Sequence, residues 1–293
     1  SRRFPPRANP NPPGRRKNRN REGFPPRLKV ATRWEDSPNS WRRIASDCYQ
    51  MFTHVTGVTQ IKGKSNRMKI TYYGHSSFAA EINGKHLLFD PFITQNPLAE
   101  AVDIKKIEAD YIFVSHAHYD HIIDAAAIAD QTGATVISNF EVVSWLGKNG
   151  VKNTHPLNPG GTYSSDFGQA KCVNAIHSSS LPDGSYGGSA GGFVVESVVA
   201  NFYYSGDTAL TLDMKLISET TKLKFAVLCV GGTLTMDIDD AIRATDLLQC
   251  KDVMGVHYDT FPLIKIDHAA AKEKFRSKGL TLHLLPIGGT QAF

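Results

Sequence analysis

Ser115-His116-Ala117-His118-Tyr119-Asp120-His121 packs three imidazoles and one carboxylate into six residues. The apolar run Tyr111-Ile112-Phe113-Val114 precedes it, and a helical pattern from Asp124 to Gln131 follows. Neutral imidazole and carboxylate are the usual ligands of zinc and related divalent ions. His116 and His118, two apart in an extended turn, can point to one side. His121 stays within reach as the chain turns helical. A strand that ends in such a cluster and then enters a helix reads as a metal-binding loop on an α/β scaffold.

One cluster does not complete a site. Further ligands are expected just past the C-terminal ends of other apolar strands, where loops of α/β folds gather their functional groups. Four residues fit that rule. Asp90 follows Leu87-Leu88-Phe89, and His177 follows Lys171 to Ile176. Asp207 follows Phe202 to Gly206, and His257 follows Val253 to Val256. Singly, each reads more readily as a structural histidine or a turn residue. Together they supply enough ligands for two metals, provided their strands run in one direction.

The rest of the chain is consistent with such a scaffold. Short strands are predicted at Lys69–Tyr73, Phe78–Ile82 and His86–Phe89, with Asn83-Gly84 as a tight hairpin turn. Strands and helices then alternate. Strands are expected at Tyr111–Val114, Ala134–Ile137, Ala170–Ile176, Gly192–Ser197, Asn201–Tyr204, Phe225–Val230 and Val253–Val256. Helices are expected at Asp124–Gln131, Val142–Lys148, Ile238–Leu248 and His268–Lys278. Hairpins with interspersed helices predict an α/β protein of two sheets covered by helices, each half of the chain contributing a sheet.

With 293 residues, 41% hydrophobic and 21% charged, the chain can bury a sizeable core. No apolar run approaches the roughly 18 residues that span a bilayer. Four scattered cysteines, none in a C-x-x-C pair, exclude a zinc ribbon or a thioredoxin-like motif and point to a reducing, cytoplasmic setting. The net charge of +5 conceals a partition: residues 1–67 hold 16 Lys+Arg against 4 Asp+Glu, and residues 68–293 hold 17 against 24. Residues 1–67 also carry eight of the fifteen prolines. They read as a basic, disordered Pro/Arg-rich arm. It could be a nucleic-acid-binding segment or a targeting presequence. Met68 opens a strand pattern at once, so the expectation is a stretch foreign to the native protein, preceding a hydrolase domain at 68–293. The acidic balance of that domain gives no support for a nucleic-acid-binding surface, so a nucleic-acid partner is not expected.

The spacing His116-x-His118-x-Asp120-His121, followed by His177, Asp207 and His257, resembles the metallo-β-lactamase superfamily. Tyr73-Gly74-His75-Ser76-Ser77-Phe78, His177-Ser178-Ser179, Gly206-Asp207-Thr208, Gly231-Gly232 and His257-Tyr258-Asp259-Thr260-Phe261-Pro262 look like its UPF0173-type metal-dependent hydrolases. That branch is similar to ascorbate-phosphate lactonases and N-acylphosphatidylethanolamine phosphodiesterases. The resemblance covers 68–293 and none of 1–67. It implies an αβ/βα four-layer sandwich with two divalent ions, zinc foremost, manganese or iron as alternatives. It assigns His116, His118 and His177 to one ion and Asp120, His121 and His257 to the other, with Asp207 bridging. His118 stands where the oxygen-reducing di-iron branch carries Glu, which disfavours redox chemistry.

The implied activity is hydrolysis of an ester-type bond in a small molecule, a phosphodiester or a lactone, by a hydroxide shared between the ions. Asp120 is the expected catalytic residue, orienting that hydroxide and taking its proton. His75 is expected to touch substrate or to support a ligand from behind, and Asp90 to hold a ligand histidine by hydrogen bond. Ser178 and Ser179 line the pocket or close a turn, and Gly231-Gly232 admits substrate or simply turns the chain. His268 and His283 read as structural. Loops Thr94–Ala101 and Leu181–Ser189 are candidate specificity elements. The competing readings are a nuclease of the same fold and a non-catalytic metal-binding regulator. Oligomeric state stays open.

Overall fold

A computed structural model describes residues 68–293; the basic arm expected at 1–67 lies outside the described residues. The first sheet comprises β1 (Lys69–Gly74), β2 (Ser77–Ile82), β3 (Lys85–Phe89), β4 (Tyr111–Phe113), β5 (Thr135–Ser138) and β6 (Thr154–Pro156). The second comprises β7 (Thr162–Ser165), β8 (Gly168–Asn174), β9 (Gly191–Glu196), β10 (Phe202–Tyr204), β11 (Phe225–Cys229), β12 (Asp252–Val256) and β13 (Thr281–His283). The last strand, β14 (Thr290–Ala292), returns to the first sheet and pairs with β1. The spatial orders are β14-β1-β2-β3-β4-β5-β6 and β13-β12-β11-β10-β9-β8-β7.

Alternation of side chains dictates the layering. In β11, Phe225 and Val227 face the other sheet while Ala226 and Leu228 face helices, and all four are fully buried. Burial on both faces is what a central parallel strand requires. Between the sheets, Phe78, Phe89 and Phe113 stack in succession against Phe193, Phe202 and Tyr204. Outside the first sheet lie α1 (Tyr119–Ile122), α2 (Ala125–Thr132) and α3 (Phe140–Lys148), whose Ile122, Ile128, Val142 and Leu146 pack with Leu88, Ile112 and Val136. Outside the second lie α4 (Asp213–Thr220), α5 (Ile238–Leu248) and α6 (His268–Ser277), whose Ile217, Ala244, Leu248 and Phe275 pack with Tyr203, Ala226 and Leu228. The result is the four-layer αβ/βα sandwich.

Strand direction positions the site. Strands β3, β4, β5 and β6 are parallel, as are β10, β11, β12 and β13. Strand β8 is antiparallel to β9, and β9 to β10, so β8 runs with β10. The ends of β3, β4, β8, β10 and β12, which precede the candidate residues, therefore point to one edge of their sheets. The Asn83-Gly84 hairpin forms as expected, both residues having left-handed φ of 54° and 75°.

Helix α4 has no counterpart among the expected elements. Only Met214 and Ile217 of it are buried, while Leu216 and the preceding Leu212 face solvent, so its apolar residues do not form one stripe. Strands β6, β7, β13 and β14 are three or four residues long and owe their pairing to neighbouring strands.

Candidate metal centre

The loop Ser115–His118 and helix α1 bring His116, His118, Asp120 and His121 to the edge of the first sheet. His177, Asp207 and His257 meet them from the ends of β8, β10 and β12. The carboxylate of Asp207 is the centre of the cluster. Its Oδ2 lies 2.8 Å from His257 Nε2, 3.2 Å from His121 Nε2, 3.7 Å from His177 Nε2 and 4.0 Å from His116 Nε2. His116 Nε2 and His118 Nδ1 approach to 3.0 Å. Ligating atoms converge in three overlapping groups: His116 with His118 and His177, Asp120 with His121, His257 and His75, and Asp90 with His116 and His121.

This donor set fits divalent ions. His121 Nε2 and Asp207 Oδ1 are buried and make no hydrogen bond. Buried polar atoms without partners need an explanation, and lone pairs turned toward a shared centre are explained by a cation.

Burial and charge poise the groups. Burial and the neighbouring His121 push His116 well below the usual imidazole range. Burial also lowers His118 and His177. Burial would lower His121 too, but the carboxylates of Asp207, Asp90 and Asp120 override it and raise that imidazole well above its ordinary value. For Asp120 and Asp207 burial acts upward and is outweighed by adjacent imidazoles, chiefly His121, so both carboxyls are held low and ionised.

Behind the cluster, Asp90 sets the tautomers. It accepts from Ser115 N at 2.6 Å, Ser115 Oγ at 2.5 Å, the Tyr204 hydroxyl and His121 Nδ1 at 2.7 Å. Because the Ser115 hydroxyl donates to Asp90, its oxygen accepts from His116 Nδ1 at 2.9 Å. One carboxylate thus occupies Nδ1 of His121 directly and of His116 through Ser115, turning both Nε2 atoms inward.

His75 is 1% exposed. Its Nε2 lies 3.1 Å from Asp120 Oδ2, and its Nδ1 3.0 Å from Thr260 Oγ1. Burial first and then His257 lower its pKa to about 4, so the imidazole is neutral. With Thr260 donating to Nδ1, Nε2–H donates to Asp120. This geometry places His75 behind Asp120 instead of in the open pocket. His75, Asp90 and His257 all hold left-handed φ, 54°, 41° and 59°. Such conformations cost non-glycine residues about 1–3 kcal/mol each and cluster where surrounding structure over-determines them.

Several residues outside the expected set do the holding. Ser115, Tyr204 and Thr260 were not distinguishable as supports, although Thr260 lies within the quoted His257–Pro262 stretch. Ser179 closes a turn, its Oγ donating to Gly187 O and accepting from Ala117 N. Ser178 Oγ lies 3.4 Å from His118 Nε2. Gly231 serves the fold: a Cβ there would sit 2.1 Å from His257 O. His268 pairs with Asp259 at 2.6 Å, away from the cluster. His283 lies on β13. A cavity of about 200 Å³ between β8 and α4, lined by Lys171, Asn174 and Leu216, holds none of the candidate ligands.

Known proteins resemble this chain in sequence and in fold. Residues 69–257 match a β-lactamase superfamily domain. A UPF0173 metal-dependent hydrolase of Flavobacterium johnsoniae is 53% identical over 221 residues, covering 75% of this chain and 98% of the relative. A UPF0173 relative from Thermus thermophilus is 42% identical over 221 residues, covering 75% and 97%. The solved structure of Igni18, a metallo hydrolase of the archaeon Ignicoccus hospitalis, superposes with a TM-score of 0.70 at 35% identity, covering 78% of this chain and 98% of its own.

Proposed function

This chain belongs to the β-lactamase superfamily, among its UPF0173 metal-dependent hydrolases, and from that premise we propose that it cleaves a phosphodiester or lactone bond of a small molecule with two divalent ions, zinc foremost. The observation that carries the reading is the convergence of His257, His121, His177 and His116 on the single carboxylate of Asp207. His116, His118 and His177 would hold one ion, Asp120, His121 and His257 the other, with Asp207 shared. When bound, such a pair lowers the pKa of water toward neutrality and polarises an ester-type oxygen.

The protein's own groups supply the rest. Asp120 is ionised and hydrogen-bonded on one side only by His75. It orients the attacking water and accepts its proton. Asp90 engages Nδ1 of His121 directly and Nδ1 of His116 through Ser115, which would keep both Nε2 atoms aimed at the ions. A small-molecule substrate is supported by the acidic balance of residues 68–293, which repels phosphate polymers. Among the described residues no helix is long and apolar enough to cross a membrane. A cytoplasmic setting is supported by the thiols of Cys172, Cys229 and Cys250, all buried and free.

The test is hydrolysis by the full chain, loaded separately with zinc and with manganese, offered a chromogenic phosphodiester and a simple lactone. One of the two substrates is expected to turn over. Asp120→Asn should lower the rate by about 10²–10⁴-fold. Stoichiometric loading with no turnover of either would overturn the assigned bond class.

A further inference from the structure

The loops that carry the ligand cluster also carry exposed apolar side chains. Of ten large hydrophobic residues exposed among those described, four sit there, Tyr119, Ile176, Tyr186 and Leu263, and a fifth, Leu234, lies in the turn after β11 that hydrogen-bonds to Thr208. Scattered single apolar residues need no explanation, whereas a grouped set marks a binding surface. Here the grouping is anchored to the site from two sides. Tyr119 lies between His118 and Asp120, and its ring meets Phe92 edge-on at 5.7 Å. Phe92 in turn meets His75 at 5.4 Å and Phe261 at 6.3 Å. Leu263 follows Phe261 in a short 3-10 turn and is 66% exposed. This flank is an aromatic and aliphatic wall beside Asp120.

The opposite flank is tied to Asp207 through its neighbour. Ile176 precedes His177, and its N–H donates to Thr208 Oγ1 at 3.0 Å. Leu234 sits in a turn closed by Gly232 N donating to Met236 O at 3.0 Å, and Met236 N ties that turn to Thr208 O at 3.0 Å. Both side chains are about half exposed, at 52% and 49%. An ion cluster bounded by polar groups alone would suit a small hydrophilic ester. Leucine, isoleucine and tyrosine left in water on both sides of it are instead covered when an apolar group lies across the mouth.

We infer that the substrate of this site carries an extended apolar arm, alkyl or aryl, that lies along Tyr119 and Leu263 or along Ile176 and Leu234 while its ester-type head meets the ions. The inference rests on the ion-site reading proposed above. It predicts an affinity that grows with chain length, because each methylene removed from water contributes about 0.8 kcal/mol when fully covered, or about fourfold in affinity.

Alkylphosphonates test it, since their anionic heads stand in for a phosphodiester and they are not hydrolysed. Binding of methyl-, propyl- and hexylphosphonate to the zinc-loaded full chain is measured by calorimetry, with and without a chelator. The expected result is about thirtyfold or more tightening from methyl to hexyl, allowing about twofold per half-covered methylene. A combined Ile176→Ser, Leu234→Ser and Leu263→Ser variant should flatten this ladder. Val198→Ser, in the β9–β10 turn at the opposite edge, should not. A flat ladder with metal-dependent binding overturns the apolar arm and leaves the ion site standing. A steep ladder indifferent to chelation keeps the arm and overturns the ion-site reading. No binding at any length overturns both. A flat ladder joined to self-association that the triple variant abolishes assigns the rim to a second copy and likewise overturns the arm.

Discussion

At the scale of single residues, the cluster works by dividing labour between groups that face inward and groups that hold them. His75 is the clearest case, because its two ring nitrogens are engaged by Thr260 and Asp120 and it has almost no exposure. His75→Ala leaves the Asp120 carboxylate without the one side chain that hydrogen-bonds it among the described residues. Supports of this kind typically set metal affinity by about 10–100-fold. The variant should therefore hold one ion normally and bind the other about 10–100-fold more weakly, as read by chelator competition. Thr260→Val should show the same selective loss to a smaller degree. Equal weakening of both ions would instead mean that His75 acts through the fold.

Proton release gives a second residue-scale outcome. His121 is raised well above the usual imidazole pKa by three carboxylates, so without an ion it is protonated at pH 7. His116, His118 and His177 are lowered and already neutral there. The sign follows: ion uptake must displace a proton from His121 but none from the other three. Loading at pH 7, followed by calorimetry in buffers of different ionisation enthalpy, should show about one proton released per chain from these four imidazoles. Between pH 8 and pH 6.5 the affinity of the His116–His118–His177 group should fall by less than the roughly eightfold that three unperturbed imidazoles would give.

At the scale of elements, the strand ends decide where chemistry sits, and this is also where the sequence was most legible. The rule of a polar residue just past an apolar strand singled out Asp90, His177, Asp207 and His257, and the structure brings all four to the cluster, the last three from β8, β10 and β12, which share one direction in the second sheet. It could not rank Ser115, Tyr204 or Thr260, because a hydroxyl acquires its role only from a partner distant in the chain, Asp90 or His75. Helix α4 escaped notice for a related reason: its exposed Leu216 belongs to no periodic stripe. Gly231 shows how closely two strand ends are fitted. Gly231→Ala would press a methyl onto His257 O, which has a left-handed backbone and no room to retreat. Overpacking of this kind costs about 1–3 kcal/mol. The expected result is an unfolding free energy lowered by that amount together with weakened ion binding, since the added methyl meets His257 O. Loss of stability with unchanged ion affinity would show that the strain is absorbed elsewhere.

At the scale of the whole molecule, the proposed ions lie between layers. His116, His118, Asp120 and His121 come from the first sheet, and His177, Asp207 and His257 from the second. The aromatic core holds the sheets together along their length, and at this edge polar ties join them, among them Gly191 N to Ser115 O at 3.0 Å, His257 N to His75 O at 2.8 Å, the Tyr204 hydroxyl to Asp90 and the pairs around Asp207. Divalent ions held here would cross-link the sandwich where it carries ionised carboxylates and, in His121, a buried charge. An ion present at about 1,000 times its dissociation constant stabilises the folded state by about 4 kcal/mol. For a domain of this size that corresponds to a melting temperature higher by about 10 °C. Chelation should lower the melting temperature by that order, and zinc should restore it. His177→Ala and His121→Ala, which remove one donor from either sheet, should each remove a large part of the zinc-dependent increment. The protein stripped of metal should keep its far-ultraviolet circular dichroism at room temperature, because the Phe78–Phe89–Phe113 stack and the helix-covered outer faces do not involve the site. Collapse of the secondary structure on chelation would instead make the ions part of the folding core.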